Sequence, residues 1–164
     1  MYIEEKYWND YIGGTDDSLT LVEYLAGKQK KEISLGEIFA DTGLDKLDGD
    51  FRTTDSGLEY TDKNGMEFDF YYAIDLITDL AALILECRVN GSVNLCELFG
   101  DDLETDTPNV CITATPEEHE LINETLKDFV SSPLEYDLSE MCDEEDMREM
   151  AEICESLRKE LYEE

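Results

Sequence analysis

Tyr71-Tyr72-Ala73-Ile74-Asp75-Leu76-Ile77-Thr78-Asp79-Leu80-Ala81-Ala82-Leu83-Ile84-Leu85-Glu86-Cys87-Arg88 is the stretch that decides the fold. Its apolar side chains recur at helical spacing and cover nearly every side, and the run from 73 to 85 is broken only by polar Asp75, Thr78 and Asp79. A helix that is apolar all round is a buried one. The segment therefore predicts a central helix, closed by Asn90-Gly91, around which everything else packs. It is too short and too interrupted to cross a bilayer.

Just upstream, Leu58-Glu59-Tyr60 and Met66-Glu67-Phe68-Asp69-Phe70 alternate in strand fashion around Lys63-Asn64-Gly65, and Asn-Gly is a strong turn signal. The residues from 41 to the first strand read as a loop. Further back, Ile3, Tyr7, Trp8 and Tyr11 predict a first helix stopped by Gly13-Gly14. Thr15-Asp16-Asp17 caps a second, running to about Ala26 with Leu19, Leu21, Val22 and Leu25 inward and Gly27 as its stop. Ser34-Leu35-Gly36-Glu37 matches a capping box and opens a short helix through Phe39.

Downstream, residues 109–114 read as a strand. Thr115-Pro116-Glu117-Glu118 opens a helix to about Val130, with threonine as cap, proline at the first helical position and glutamate at the third. The last helix, from about Asp143, carries Met147, Met150, Cys154, Leu157 and Leu161 on one stripe. The expected architecture is α+β, mostly helical, with a hairpin and at least one further strand, in a single domain spanning 1–164. Residues 33–41 recur sixty positions on as residues 93–101, with Ser34/Asn94, Leu35/Leu95, Glu37/Glu97 and Phe39/Phe99 in register. This reads as a duplicated helix–loop–capped-turn unit, against the alternative that short capped helices simply look alike.

Forty-three acidic side chains face twelve basic ones, for a formal charge of −31 on 164 residues. Such charge opposes compaction, and solubility of a small domain asks for a magnitude of only about 2–8. The 41% hydrophobic content supplies a real core, which separates the chain from acidic disordered proteins. The surplus implies a positively charged partner. Anionic membranes and nucleic acid backbones would repel it.

Tests for chemistry fail in turn. The single histidine, His119, lies among Glu117, Glu118 and Glu120, which predicts a solvated side chain with a raised pKa. No Walker loop, dinucleotide fingerprint or nucleophile elbow is present. Five irregularly spaced cysteines, without a Cys-x-x-Cys pair, predict reduced, mostly buried thiols in a cytoplasm. The acidic opening Met1-Tyr2-Ile3-Glu4-Glu5 lacks the pattern of an export signal. Asp45-Lys46-Leu47-Asp48-Gly49-Asp50 fails as a calcium loop because the first and third ligand positions fall on Leu44 and Lys46. No metal, cofactor or catalytic residue is expected.

Charge concentrates at Glu97, Asp101, Asp102, Glu104 and Asp106, and again in residues 134–164, where thirteen acids meet three bases. The first group lies in a loop, a common position for binding residues. The C-terminal acids read as the wet face of an amphipathic helix.

Tyr7-Trp8-Asn9-Asp10-Tyr11-Ile12-Gly13-Gly14-Thr15-Asp16-Asp17-Ser18, the hairpin and the 70–85 helix together resemble the small acidic immunity proteins encoded beside bacterial toxins of contact-dependent growth inhibition and related polymorphic systems. The resemblance implies a non-enzymatic inhibitor that binds a cognate toxin, commonly a basic nuclease, and blocks its active or substrate-binding surface. Partner-binding candidates are then Asp101, Asp102, Glu104 and Asp106 for encounter, with Tyr60, Tyr71, Tyr72 and also Tyr136 as buried anchors. The hairpin or the 109–114 strand could also accept a strand from the partner at a sheet edge. The rival readings are a DNA mimic that inhibits a nucleic-acid-binding protein, a metal-dependent hydrolase, and a regulator that binds a peptide or small molecule.

Overall fold

The computed structural model describes residues 1–8, 11–54, 58–99 and 107–163. Helix α4, Ala73–Asn90, is buried from Ala73 to Glu86, polar residues included, and is the axis of the molecule. Gly91 ends it with φ +86°, a backbone conformation that costs glycine little. Its N-terminus has no side-chain cap from Tyr72. Instead, Asp17 accepts from the backbone N–H groups of Tyr71 (2.9 Å) and Tyr72 (3.0 Å), and Thr54 Oγ1 accepts from that of Ala73 (3.1 Å). Donors that a helix leaves orphaned are thus paired from outside the helix.

Around α4 pack α1 (Tyr2–Lys6), α2 (Asp16–Lys28), α6 (Pro116–Ser131), α7 (Glu144–Tyr162) and strand β4 (Cys111–Thr113). Local chemistry sets most boundaries. Thr15 and Ser18 form a reciprocal capping box on α2, and Thr115 and Glu118 form one on α6. Asp143 caps α7 by accepting from the backbone N–H of Asp146 at 2.9 Å. All five residues of the predicted α7 stripe are buried.

Several expectations need correction. The first helix stops at Lys6, and Tyr11 lies outside it, because backbone bonds from Tyr7 and Trp8 to the Ile3 carbonyl close the helix early. Helix α2 runs past Gly27 and is capped by Gln29 in the left-handed conformation. Leu19 points outward, and Tyr24 fills the core in its place. In α3 (Leu35–Thr42), Ser34 does accept from the Glu37 N–H (3.1 Å). The Glu37 carboxylate, however, takes Lys28 and Lys30 rather than completing the box.

Strands β2 (Leu58–Thr61) and β3 (Glu67–Phe70) form the expected antiparallel hairpin. Its turn is held by Asp62, whose carboxylate accepts from the backbone of Asn64 and Met66. A three-residue strand not foreseen, β1 (Glu32–Ser34), pairs in parallel with β4. Each half of the sequence repeat meets this region. Ile33 lies opposite Ile112, while Val93 bridges Val110 in antiparallel sense. Asn94 Oδ1 accepts from the Glu97 N–H (3.3 Å) ahead of α5 (Leu95–Phe99), matching Ser34 ahead of α3. The two units share a local shape and differ in how they join the sheet.

Candidate partner interface

The outward face of α7 concentrates negative charge. Glu144, Glu145, Glu149 and Glu152 line a shallow depression of about 620 Å³ with Arg148 as its only cation. Arg148 is already paired with Glu144 at 2.7 Å. Acidic residues crowd the first turn because the helix N-terminus favours them. Tyr11 braces the edge, its hydroxyl lying 3.0 Å from Asp146 Oδ1 and 2.8 Å from Glu149 Oε2. These carboxylates push the Tyr11 phenol well above its usual range, so it stays neutral. At the far end of the helix, Tyr2 (2.5 Å), Tyr7 (2.6 Å) and Lys6 converge on Glu160 and clasp α1 to α7. Burial opposes ionisation of Glu160, but these donors hold its carboxyl below the usual range.

The predicted aromatic anchors separate. Tyr71 is 64% exposed, just ahead of α4. Tyr72 beside it is half-buried, and burial together with Asp137 and Asp75 raises its pKa. Tyr136 is 2% exposed, packs edge-on against Phe129, and donates to Asp128 at 2.7 Å. It belongs to the core. Asp101, Asp102, Glu104 and Asp106 lie outside the described residues.

Under Tyr71 and Tyr72 sits a cluster that sequence reasoning missed, having taken Asp75 and Asp79 as interruptions and Asp17 as part of a helix cap. Asp17, Asp75 and Asp79 are all buried. Asp79 accepts from the Gly13 N–H (3.0 Å) and the Ser18 hydroxyl (2.7 Å), and burial still pushes its carboxyl up to about 7. Asp75 is pushed up to about 9 by burial, by the charges of Asp79 and Asp17, and by a hydrogen bond to Asp17. A proton held on Asp75 and donated to Asp17 follows at neutral pH. The three acids tie the Gly13 loop and the 71–72 segment to α2 and α4.

Tyr60 lines a different feature, a cavity of about 380 Å³ between the C-terminal end of α2 and the hairpin. Its walls include Tyr24, Tyr60, Phe68, Lys28, Lys30 and Lys63. The Tyr24 and Tyr60 rings meet edge-on at 5.2 Å, and Lys28 Nζ lies 5.3 Å from the Tyr60 centroid. Burial works against the Lys28 charge, but Asp41 and Glu37 raise its pKa.

His119 corrects another expectation. It is half-buried with Nδ1 3.1 Å from the Tyr162 hydroxyl, and burial and Arg88 hold its pKa below the usual value. Of the five cysteines, only Cys154 is fully buried. Cys87 accepts from the Ile112 N–H at 3.3 Å, and burial pushes its thiol up to about 12. Among the described residues, no helix is long and apolar enough to cross a membrane. No group of three or more His, Cys, Asp or Glu side chains among them is arranged to hold a metal.

A mostly helical α+β molecule whose chemistry lies in charged surface is the build of a binding protein, and comparison across the chain places it among the immunity proteins of toxin systems. The chain belongs to the family described as Immunity protein 68, whose model matches residues 2–161. Its function is accordingly to neutralise a cognate toxin. No curated protein and no solved structure matches it.

Proposed function

We propose that the toxin is a basic protein, a nuclease or another enzyme acting on nucleic acid, and that this chain inhibits it in the cytoplasm, as one domain and without catalysis, by covering its active or substrate-binding surface. The observation that carries the reading is the α7 depression, where four glutamates face outward against one arginine already engaged. A surface that binds phosphates is positive, and a carboxylate face complements it. Such fields raise association toward about 10⁸–10⁹ M⁻¹s⁻¹ at low salt. In this reading Asp101, Asp102, Glu104 and Asp106 add to the encounter surface. Tyr71, with Tyr72 and Tyr60, supplies contact area whose burial gives affinity.

The test uses the toxin encoded beside this chain's gene. Glu145→Lys with Glu152→Lys, both on the outer face, should slow association about tenfold at low salt and flatten its salt dependence. Equal rates for the variant and the parent would remove α7 from the interface. Cells left unprotected against that toxin by the parent protein would defeat the assignment of the pair.

A further inference from the structure

In a molecule of charge −31, three of the twelve basic side chains surround one cavity, the aromatic one beside Tyr60. Its volume of about 380 Å³ lies within the usual range of ligand pockets. Lys28 and Lys30 are held by Glu37 and Asp41, so they line the wall without being free to leave it. Lys63, at the hairpin turn, makes no ion pair among the described residues. Asp62 also lines the cavity, but one of its carboxylate oxygens is occupied by the turn.

Gly27 supplies a second, independent observation. It is the last residue but one of α2, where glycine costs up to about 1 kcal/mol relative to alanine. Its φ is not positive, and an added Cβ would meet nothing nearer than Phe68 Cζ at 4.0 Å. Packing therefore does not call for glycine there. What the missing side chain leaves open is the cavity that Gly27 lines.

We infer that this cavity is a specificity pocket that receives an acidic side chain of the toxin, its carboxylate toward Lys63 and its apolar stem against the stacked Tyr60 and Phe68 rings. The occupant follows from the charge distribution. The whole-molecule field depletes free small anions at the surface, whereas a carboxylate carried on a cationic protein is brought in by that same field. A single lysine without an ion pair among the described residues, set where the surrounding acids are already matched by Lys28 and Lys30, also sorts partners. Any basic protein is attracted to the acidic surface, but only one with an acid at the matching place fills a lysine-rimmed pocket.

This inference rests on the toxin-neutralising reading. Its test measures affinity for the neighbouring-gene toxin with Gly27→Leu, which fills the cavity from a helix that tolerates leucine, and with Lys63→Glu, at an exposed turn. Melting temperatures of both variants monitor the fold. Each is expected to weaken binding about tenfold or more with melting preserved. Parent-like affinity in both variants overturns the pocket and leaves toxin neutralisation standing. Weakening by Gly27→Leu alone overturns the acidic occupant in favour of an apolar one, and weakening by Lys63→Glu alone overturns occupation of the cavity. A parent protein that does not bind the toxin at all removes both readings.

Discussion

Gly13 leaves no room for a side chain. Its φ is +87°, and a Cβ there would lie 2.2 Å from the Trp8 ring. Its N–H also donates to buried Asp79, so the loop, the indole and α4 share one position. Gly13→Ala should destabilise the protein by about 2 kcal/mol or more, read as a lowered denaturant midpoint with an unchanged slope. Glu86 plays a similar part from the helix side, accepting from the Ile3 N–H at 3.0 Å while fully buried. At this scale the sequence was only half legible. The Gly13-Gly14 stop could be read, but not its pairing with Asp79, sixty-six positions away.

Local signals hold on α6 and α7, while the Ser34–Glu37 box on α3 closes only halfway. On α6 the Thr115–Glu118 box pairs two backbone N–H groups at 3.1 and 2.8 Å, and Pro116 presets the first turn. Thr115→Ala should cost about 1 kcal/mol, seen in thermal melts, with a smaller loss for Glu118→Ala. Periodicity made α4 and α7 readable because their apolar positions repeat over eighteen and nineteen residues. It could not reveal β1, only three residues long, whose ladder partner lies beyond residue 110. Gly27 was misread as a stop because glycine is common after helices, whereas here αL Gln29 takes that place. The same distance effect hid the pocket. Tyr60, Tyr71 and Tyr72 stood out as aromatic residues, but nothing local shows Lys28 and Lys63 facing one cavity.

Across the whole molecule, two acid effects point the same way. Outside, the surplus of carboxylates repels itself; inside, Asp75 keeps a proton up to about pH 9 that an unfolded chain releases near its ordinary pKa of about 4. Between those values the native state binds more protons than the unfolded one. Stability is therefore greatest near the lower limit and falls as pH rises through the window. Asp79, pushed up to about 7, adds to the slope in the lower part. Melting temperature should drop from pH 6 to pH 8.5, and Asp75→Asn, which keeps a donor for Asp17, should flatten that drop and raise stability at pH 8.5. An unaltered slope in Asp75→Asn would assign the effect to surface repulsion alone. The Glu160 clasp has a consequence for timing. Tyr2, Lys6 and Tyr7 are made about 150 residues ahead of the partner they close on. At about 5–20 residues per second, the clasp stays open for on the order of ten seconds after Tyr7 is made, so a cell must stock the antidote before the poison arrives.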